Sequence, residues 1–141
     1  SGGELSRLAL AVAVATSRRA GAPADAAGEA GADDAPVPTL VFDEVDSGVG
    51  GAVADSIGAL MKRLGRTSQV LAVTHLAQVA ACADHHLVVS KGCEAGATTS
   101  ALHTVAGEAR VAEIARMLGG ESLSGTAHAQ AMLARGEKEA R

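Results

Sequence analysis

Aromatic residues are almost absent from this chain of 141 residues, which has one Phe and neither Trp nor Tyr. It therefore offers almost no aromatic surface on which nucleic-acid bases could stack. Its formal net charge of −4 also provides no excess of basic residues for a phosphate backbone. If DNA is a partner, we expect its main contacts to lie outside these residues.

Cysteine is scarce as well, and the two cysteines, Cys82 and Cys93, show no CxxC spacing. This argues against a zinc site and against a disulfide framework, and it fits a reducing cytosol. Cys82 lies in an alanine-rich apolar segment and is predicted to be a small core residue. No apolar run approaches the length of a membrane span and no signal peptide is visible, so we expect no membrane partner.

An initial methionine is also missing, because the chain begins at Ser1 and passes directly into a motif. We interpret the chain as the later part of a longer protein. Its length suits one domain, or a part of one.

An apolar strand that ends in acidic residues is the central feature of what is present. Residues 39–42 have the character of a buried strand and lead into Asp43, Glu44 and Asp46. A glycine-rich loop, residues 47–51, follows directly. Open α/β sheets bind ligands at such strand tips, and carboxylates there can hold magnesium and activate a water molecule. The alternative for this stretch alone is a buried strand followed by a solvated acidic turn.

Two other stretches are suited to meet this strand tip. Ser1-Gly2-Gly3-Glu4 has the form of a capping box, and the helix that it starts offers backbone N–H groups and a positive dipole end to a phosphate. His75 follows a second apolar strand, residues 69–74, where it could donate a hydrogen bond to a phosphate oxygen. Each stretch alone also fits a structural role, as an ordinary capped helix and as an incidental histidine.

The remaining pattern predicts alternating helices and strands, and therefore a largely parallel α/β sheet. Apolar periodicity predicts helices over residues 1–19, 53–64 with Gly65 as C-cap, 76–83, 111–118 and 126–135. Further strands are predicted over residues 87–90 and, at the sheet edge, 98–105, with a turn at 92–96. Residues 20–38 are acidic and contain too few large apolar side chains to repay the entropy of ordering, so we predict a flexible insertion there.

Taken together and in this order, these motifs resemble the second half of an ABC-type ATPase head. Residues 1–4 resemble its signature motif, 40–44 the Walker B strand, 46–51 the D-loop and His75 the switch histidine. The longer stretches 1–7, 42–51, 73–80 and 115–120 are similar to the C-terminal head segment of the RecN family, bacterial SMC-like proteins of DNA double-strand-break repair. The resemblance implies an α/β fold over residues 1–141: the C-terminal half of an ABC/SMC-type P-loop ATPase head, with a mostly parallel sheet flanked by helices.

The resemblance also implies a site. ATP would lie between two heads of a homodimer, with Asp43 orienting a magnesium ion, Glu44 acting as the catalytic base and His75 contacting the γ-phosphate. The residues expected to bind the nucleotide or to line the contact between the heads are Ser1, Gly2, Gly3, Glu4, Asp46, Ser47, Gly48, Gly50 and Gly51. ATP-driven dimerisation of the heads would then act in DNA repair and recombination in the bacterial cytoplasm, at the nucleoid, with DNA bound through the longer protein.

Two departures from the family pattern leave alternatives open. No glycine-rich loop with a Lys-Ser or Lys-Thr ending occurs, so the Walker A lysine, the Q-loop and the coiled-coil arms would lie upstream, and the chain alone is expected to be inactive. Residues 20–38 are also longer and more acidic than the connection expected there.

One alternative is a magnesium-dependent, Toprim-like phosphoesterase or nuclease that uses Asp43, Glu44 and Asp46 directly. The other is a non-catalytic fragment that only dimerises.

Overall fold

The computed structural model of the chain describes residues 2–20, 37–94, 97–120 and 122–138. Helices and strands follow one another in the order predicted from the sequence. The helices are α1 (Gly2–Ala20), α2 (Gly51–Leu64), α3 (Ala77–Cys82), α4 (Gly107–Met117) and α5 (Leu123–Lys138), and the strands are β1 (Thr39–Asp43), β2 (Gln69–Val73), β3 (His86–Glu94) and β4 (Ala97–Val105). Ser1 and, apart from Ala20, Val37 and Pro38, the predicted insertion over residues 20–38 lie outside the described residues.

The strands β1 and β2 form a parallel pair that fixes the geometry of the site. Their register sets Asp43 beside Val73. Because side chains alternate along a strand, one face of the pair carries Leu40, Phe42 and Val70 toward the core. Parallel strands end at the same edge, so the residues that follow Asp43 and Val73 are neighbours in space. The predicted parallel arrangement is confirmed for these two strands.

The strands β3 and β4 instead pair with each other in an antiparallel sheet, from His86 opposite Val105 to Glu94 opposite Ala97. The expectation that residues 98–105 lie at the edge of the parallel sheet is therefore wrong, because within the described residues β4 is bonded only to β3. Only two residues separate the strands in the chain. So short a connection joins antiparallel strands, whereas parallel strands need a crossover of about a dozen residues or more.

Two apolar clusters form the core, and α3 contributes to both. The first cluster joins α1, α2 and the parallel strands through Leu10, Phe42, Val45, Ile57, Met61, Leu64 and Val79. The second joins α3, α4 and α5 through Ala77, Ala80, Ala81, Ile114, Ala115, Ala129 and Met132. The predicted burial of Cys82 is confirmed, and its Sγ donates to the Gln78 carbonyl oxygen at 3.4 Å. None of the helices in the described part of the chain is both long and apolar enough to cross a membrane.

The face of the parallel pair that points away from the core is uncovered in the described structure. Val41, Leu71 and Val73 on this face are 68%, 45% and 64% exposed. Parallel sheets are normally covered on both faces, because their strands are apolar on both sides. We call these three side chains the open sheet face.

Candidate functional site

The tip of β1 has an unusual backbone. Asp43 ends the strand with an exposed side chain, and Glu44, also exposed, has a φ of +54°. Residues other than glycine rarely adopt positive φ because Cβ crowds the backbone, and residues held in this way concentrate at functional sites. The Ser47 N–H then donates to the Glu44 carbonyl oxygen at 3.1 Å. The chain thus presents two exposed carboxylates on a tight turn at the end of the strand.

Asp46 differs from these two acidic neighbours because it is buried, with 1% of its surface exposed. Its Oδ2 accepts one hydrogen bond from the Thr74 hydroxyl and another from the His75 backbone N–H at 3.3 Å. Its Oδ1 has no hydrogen-bond partner among the described residues, and the His75 Nδ1 lies 3.8 Å from it. The Asp46 carboxylate therefore ties the tip of β1 to the tip of β2.

The tip of β2 carries His75 on a short turn that a side chain stabilises. The Leu76 N–H donates to the Thr74 hydroxyl oxygen at 3.0 Å, and α3 begins directly afterwards. The His75 side chain is 73% exposed. Because β1 and β2 are parallel, His75 and Glu44 lie at the same edge of the sheet. Sequence reasoning missed Thr74, although hydroxyl residues that bond the backbone two positions on are a known turn signal.

The first turn of α1 packs on the turn that follows β1. A Cβ built on buried Gly3 would lie 3.1 Å from the Ser47 Cβ and 3.2 Å from the Glu44 carbonyl oxygen. Glycine therefore allows the helix to approach the turn this closely. The Arg7 Nη1 donates to the Ser47 carbonyl oxygen at 2.8 Å and fastens the contact.

The other residues predicted in the signature motif have different outcomes. Gly2 and Glu4 lie in the same first turn of α1 as Gly3, and the Glu4 side chain is exposed. Ser1 lies outside the described residues. Arg7 was not predicted to have a role, and no local sequence pattern marks it.

The loop between Asp46 and α2 is open. Gly48 and Gly51 have φ of +72° and +53°, a region that glycine adopts without strain. A Cβ built on Gly48, Gly50 or Gly51 would meet no atom within 4 Å. The Ser47 side chain is also exposed. Apart from half-buried Val49, residues 47–51 therefore form an exposed, glycine-rich surface beside Glu44.

The acidic residues at this edge fit a magnesium ion that is bound together with phosphate. Asp43 offers one exposed carboxylate, and Mg²⁺ commonly takes one or two carboxylates and completes its shell with phosphate oxygens and water. Within the parts of the chain that the structure describes, no group of three or more His, Cys, Asp or Glu residues is placed to hold a metal. A Toprim-like site is not favoured, because Asp46 bonds inward to Thr74 and His75.

Comparison with known sequences finds relatives that match almost the whole chain. It is 52% identical over 143 aligned positions to DNA repair protein RecN of Mycobacterium leprae, covering 99% of this chain and 21% of that protein. It is 49% identical over 131 positions to DNA repair protein RecN of Streptomyces coelicolor, and the match covers 93% of this chain and 20% of that protein. It is 46% identical over 135 positions to the protein of the same name in Deinococcus radiodurans, and the match covers 95% of this chain and 21% of that protein. The chain thus spans about one fifth of the length of these curated relatives.

Comparison with solved structures finds a similar fold in a protein studied under the heading "Structural biochemistry of ATP-driven dimerization and DNA stimulated activation of SMC ATPases". The TM-score is 0.53 at 20% sequence identity, and the match covers 86% of this chain and 64% of that chain. At this level of identity the likeness establishes the fold. No protein-family model matches the chain. We conclude that the chain has the α/β fold of a segment of an SMC-type ATPase head, and that its sequence matches the C-terminal segment of proteins named DNA repair protein RecN.

Proposed function

We propose that this chain is the ATP-hydrolysing segment of an SMC-like ATPase head that acts in DNA double-strand-break repair and recombination. Its relatives, named DNA repair protein RecN, and the fold that it shares with an SMC ATPase support the proposal. The observation that carries it is the meeting of three motifs at one edge of the sheet. The first turn of α1 packs through Gly3 on the carbonyl oxygen of Glu44. Asp46, in the turn that follows β1, accepts a hydrogen bond from the backbone N–H of His75.

Each exposed residue at this edge has a separate task in the proposed reaction. Asp43 holds a magnesium ion, which when bound neutralises charge on the phosphate oxygens of ATP. Glu44 accepts the proton of the water that attacks the γ-phosphate. His75 donates a hydrogen bond to an oxygen of the γ-phosphate. The exposure of these three side chains supports the assignment, because each must reach water or nucleotide.

A second copy of the head completes the proposed site. The γ-phosphate held by the partner head is bound by Ser1, Gly2, Gly3 and Glu4, and the start of α1 offers it backbone N–H groups and a positive dipole end. Residues 47–51, with Ser47, Gly48, Gly50 and Gly51, line the contact between the heads, and their open surroundings support this role. Hydrolysis removes the phosphate that both heads grip, so it couples ATP turnover to opening and closing of the heads around DNA.

The longer protein supplies the rest of the head in this proposal. Residues 1–141 are then the C-terminal part of the head, with residues 20–38 as an insertion. The open sheet face supports this arrangement, because it is an apolar face of a parallel sheet that no described residue covers. The chain contains no Walker A pattern, so the 141 residues alone are expected not to hydrolyse ATP.

ATP turnover by the full-length protein with Glu44→Gln tests the proposal. The amide keeps the size of the side chain but cannot accept the proton of water, so we expect turnover to fall about 100-fold or more while ATP binding is retained. Glu108→Gln changes an exposed glutamate at the start of α4 and is the control, with turnover unchanged. Normal turnover by Glu44→Gln would refute the base assignment. Metal-dependent DNA cleavage without ATP would favour the phosphoesterase alternative.

A further inference from the structure

A buried carboxylate with one unsatisfied oxygen lies directly behind His75. Asp46 is 1% exposed, and a carboxylate buried to this extent is costly unless its oxygens find donors. Its Oδ2 has two donors, the Thr74 hydroxyl and the His75 backbone N–H. Its Oδ1 is buried and has none among the described residues. An unpaired oxygen of this kind calls for a physical explanation.

The His75 ring offers the missing donor. Its Nδ1 lies 3.8 Å from the Asp46 Oδ1, which is too far for a hydrogen bond but within the range of an ion pair. The ring is 73% exposed, so it has room for the small rotation that closes this gap. With Nδ1 directed at Asp46, the Nε2 atom on the other side of this exposed ring is left for a second partner.

We propose that Asp46 is a positioning residue for His75. Oδ2 holds the backbone at the tip of β2, and Oδ1 accepts a hydrogen bond from Nδ1–H, which fixes the ring and leaves Nε2 for a second partner. Carboxylates orient functional histidines in this way in many sites. The inference rests on the proposed function, in which His75 donates a hydrogen bond to the γ-phosphate. A ring that donates both to Asp46 and to a phosphate oxygen carries a hydrogen on both nitrogens.

The same residue connects His75 to the loop proposed to line the contact between heads. Asp46 is the first residue of the stretch 46–51, and its carbonyl oxygen accepts a hydrogen bond from the Val49 N–H at 3.2 Å. A shift of this loop on contact with a second head would therefore move the anchor of the His75 ring. Asp46 acts on the nucleotide only through His75, in place of the direct binding expected from the sequence.

Asp46→Asn in the full-length protein tests the inference, because the amide keeps one acceptor oxygen but turns an N–H group toward Nδ1. Selective ¹⁵N labelling of histidine and long-range ¹H–¹⁵N spectra report which ring nitrogen carries hydrogen, and the signals lost in His75→Gln assign the ring. We expect Nδ1–H on His75 in the wild type and a hydrogen-free Nδ1 in Asp46→Asn. A hydrogen-free Nδ1 in the wild type overturns the inference before any variant is made. An unchanged Nδ1–H signal in Asp46→Asn also overturns it.

Thr74→Val is the matched control. It removes the hydroxyl that bonds the Asp46 Oδ2 and the Leu76 N–H, so it perturbs the same turn but leaves Oδ1 facing the ring. We expect the Nδ1–H signal of His75 to persist in this variant. Equal loss of the signal in Thr74→Val and Asp46→Asn would assign Asp46 a merely structural role and overturn the inference.

ATP turnover separates this inference from the proposed function. In the full-length protein, Asp46→Asn is expected to lower kcat about 10- to 100-fold with little change in KM. A wild type without ATPase activity refutes the proposed function, while the ring spectra still decide the role of Asp46. Unchanged spectra together with normal turnover overturn the role of Asp46 alone.

Discussion

At the scale of single residues, Glu44 combines an exposed carboxylate with a backbone that favours glycine. Its φ of +54° is a region in which a side chain crowds the backbone. Two neighbours hold it there: the Ser47 N–H bonds its carbonyl oxygen, and Gly3 packs against the same oxygen. The chain keeps a glutamate at a position where glycine would be less strained, which is consistent with a catalytic reason for the carboxylate.

Glu44→Gly is therefore expected to raise the free energy of unfolding by up to about 1 kcal/mol while abolishing ATP turnover. Denaturant unfolding and turnover, measured on the same preparations of the full-length protein, check the two effects. Asp43→Gly is the control. Because Asp43 lies in extended backbone at the end of β1, glycine there is expected to lower the free energy of unfolding by about 0.5–1 kcal/mol. A loss of stability in Glu44→Gly would show that the backbone of Glu44 is not strained.

At the scale of helices and strands, Arg110 of α4 supports the end of α3. Its Nη2 donates to the carbonyl oxygens of Ala80, Ala81 and Ala83 at 3.3, 3.4 and 2.6 Å. A helix of six residues such as α3 has few internal hydrogen bonds and depends on outside donors for its last carbonyl groups. Because α3 begins two residues after His75, Arg110 also steadies the segment that carries this histidine.

The same guanidinium acts on His86 at the start of β3. Burial lowers the pKa of His86, and the charge of Arg110 lowers it further. The unfolded chain therefore binds a proton more readily than the folded chain does. Stability is lost as the pH falls from the ordinary histidine value of 6.5 toward the lowered pKa of the folded protein.

Arg110→Met is expected to lower the free energy of unfolding by about 1.5–3 kcal/mol, because three carbonyl groups lose a charged donor. The pKa of His86 should at the same time move back toward its ordinary value, which an NMR titration of the histidines would report. Arg116→Met in the same helix is the control. Arg116 is 64% exposed and makes two hydrogen bonds to Glu113, whose side chain is 13% exposed, so its loss is expected to lower the free energy of unfolding by about 1 kcal/mol, less than the loss of Arg110. Equal destabilisation by the two substitutions would contradict the proposed support of α3.

The sequence predicted where the helices and strands lie better than it predicted which strands pair and which way the side chains of the turns point. Apolar periodicity located α2, and Gly65 is its C-cap as expected. The pattern of residues 98–105 indicated a strand, and the short turn predicted before it already fits only antiparallel pairing with the preceding strand. That this pair forms a sheet separate from β1 and β2 has no signal in the side-chain pattern. The sequence likewise identified Asp46 but not its burial. The turn after Glu44 sets which way Asp46 faces, and a positive φ at a glutamate has no sequence signal.

At the scale of the whole molecule, the described structure leaves two surfaces open, which agrees with the proposal that it is one side of a composite site. Val41, Leu71 and Val73 leave the parallel sheet uncovered on one face, where the rest of the head is proposed to pack. The glycines of the loop over residues 47–51, Ser47, and Glu4 in the first turn of α1 are exposed and form a second surface, beside the carboxylates. The two surfaces have different proposed partners: the remainder of the same head, and a second head.

The association of two heads through the loop over residues 47–51 is the central claim, and crosslinking between two copies tests it most directly. Ser47→Cys is nearly isosteric, and Ser47 is exposed. It would be placed in full-length Glu44→Gln, which is expected to bind ATP and to hydrolyse it only slowly, and treated with a short bis-maleimide. The same protein without Ser47→Cys is the control for other cysteines. The account predicts a crosslinked dimer that forms with ATP and magnesium and is absent without nucleotide. Crosslinking that is equal with and without ATP, or absent in both conditions, would contradict it.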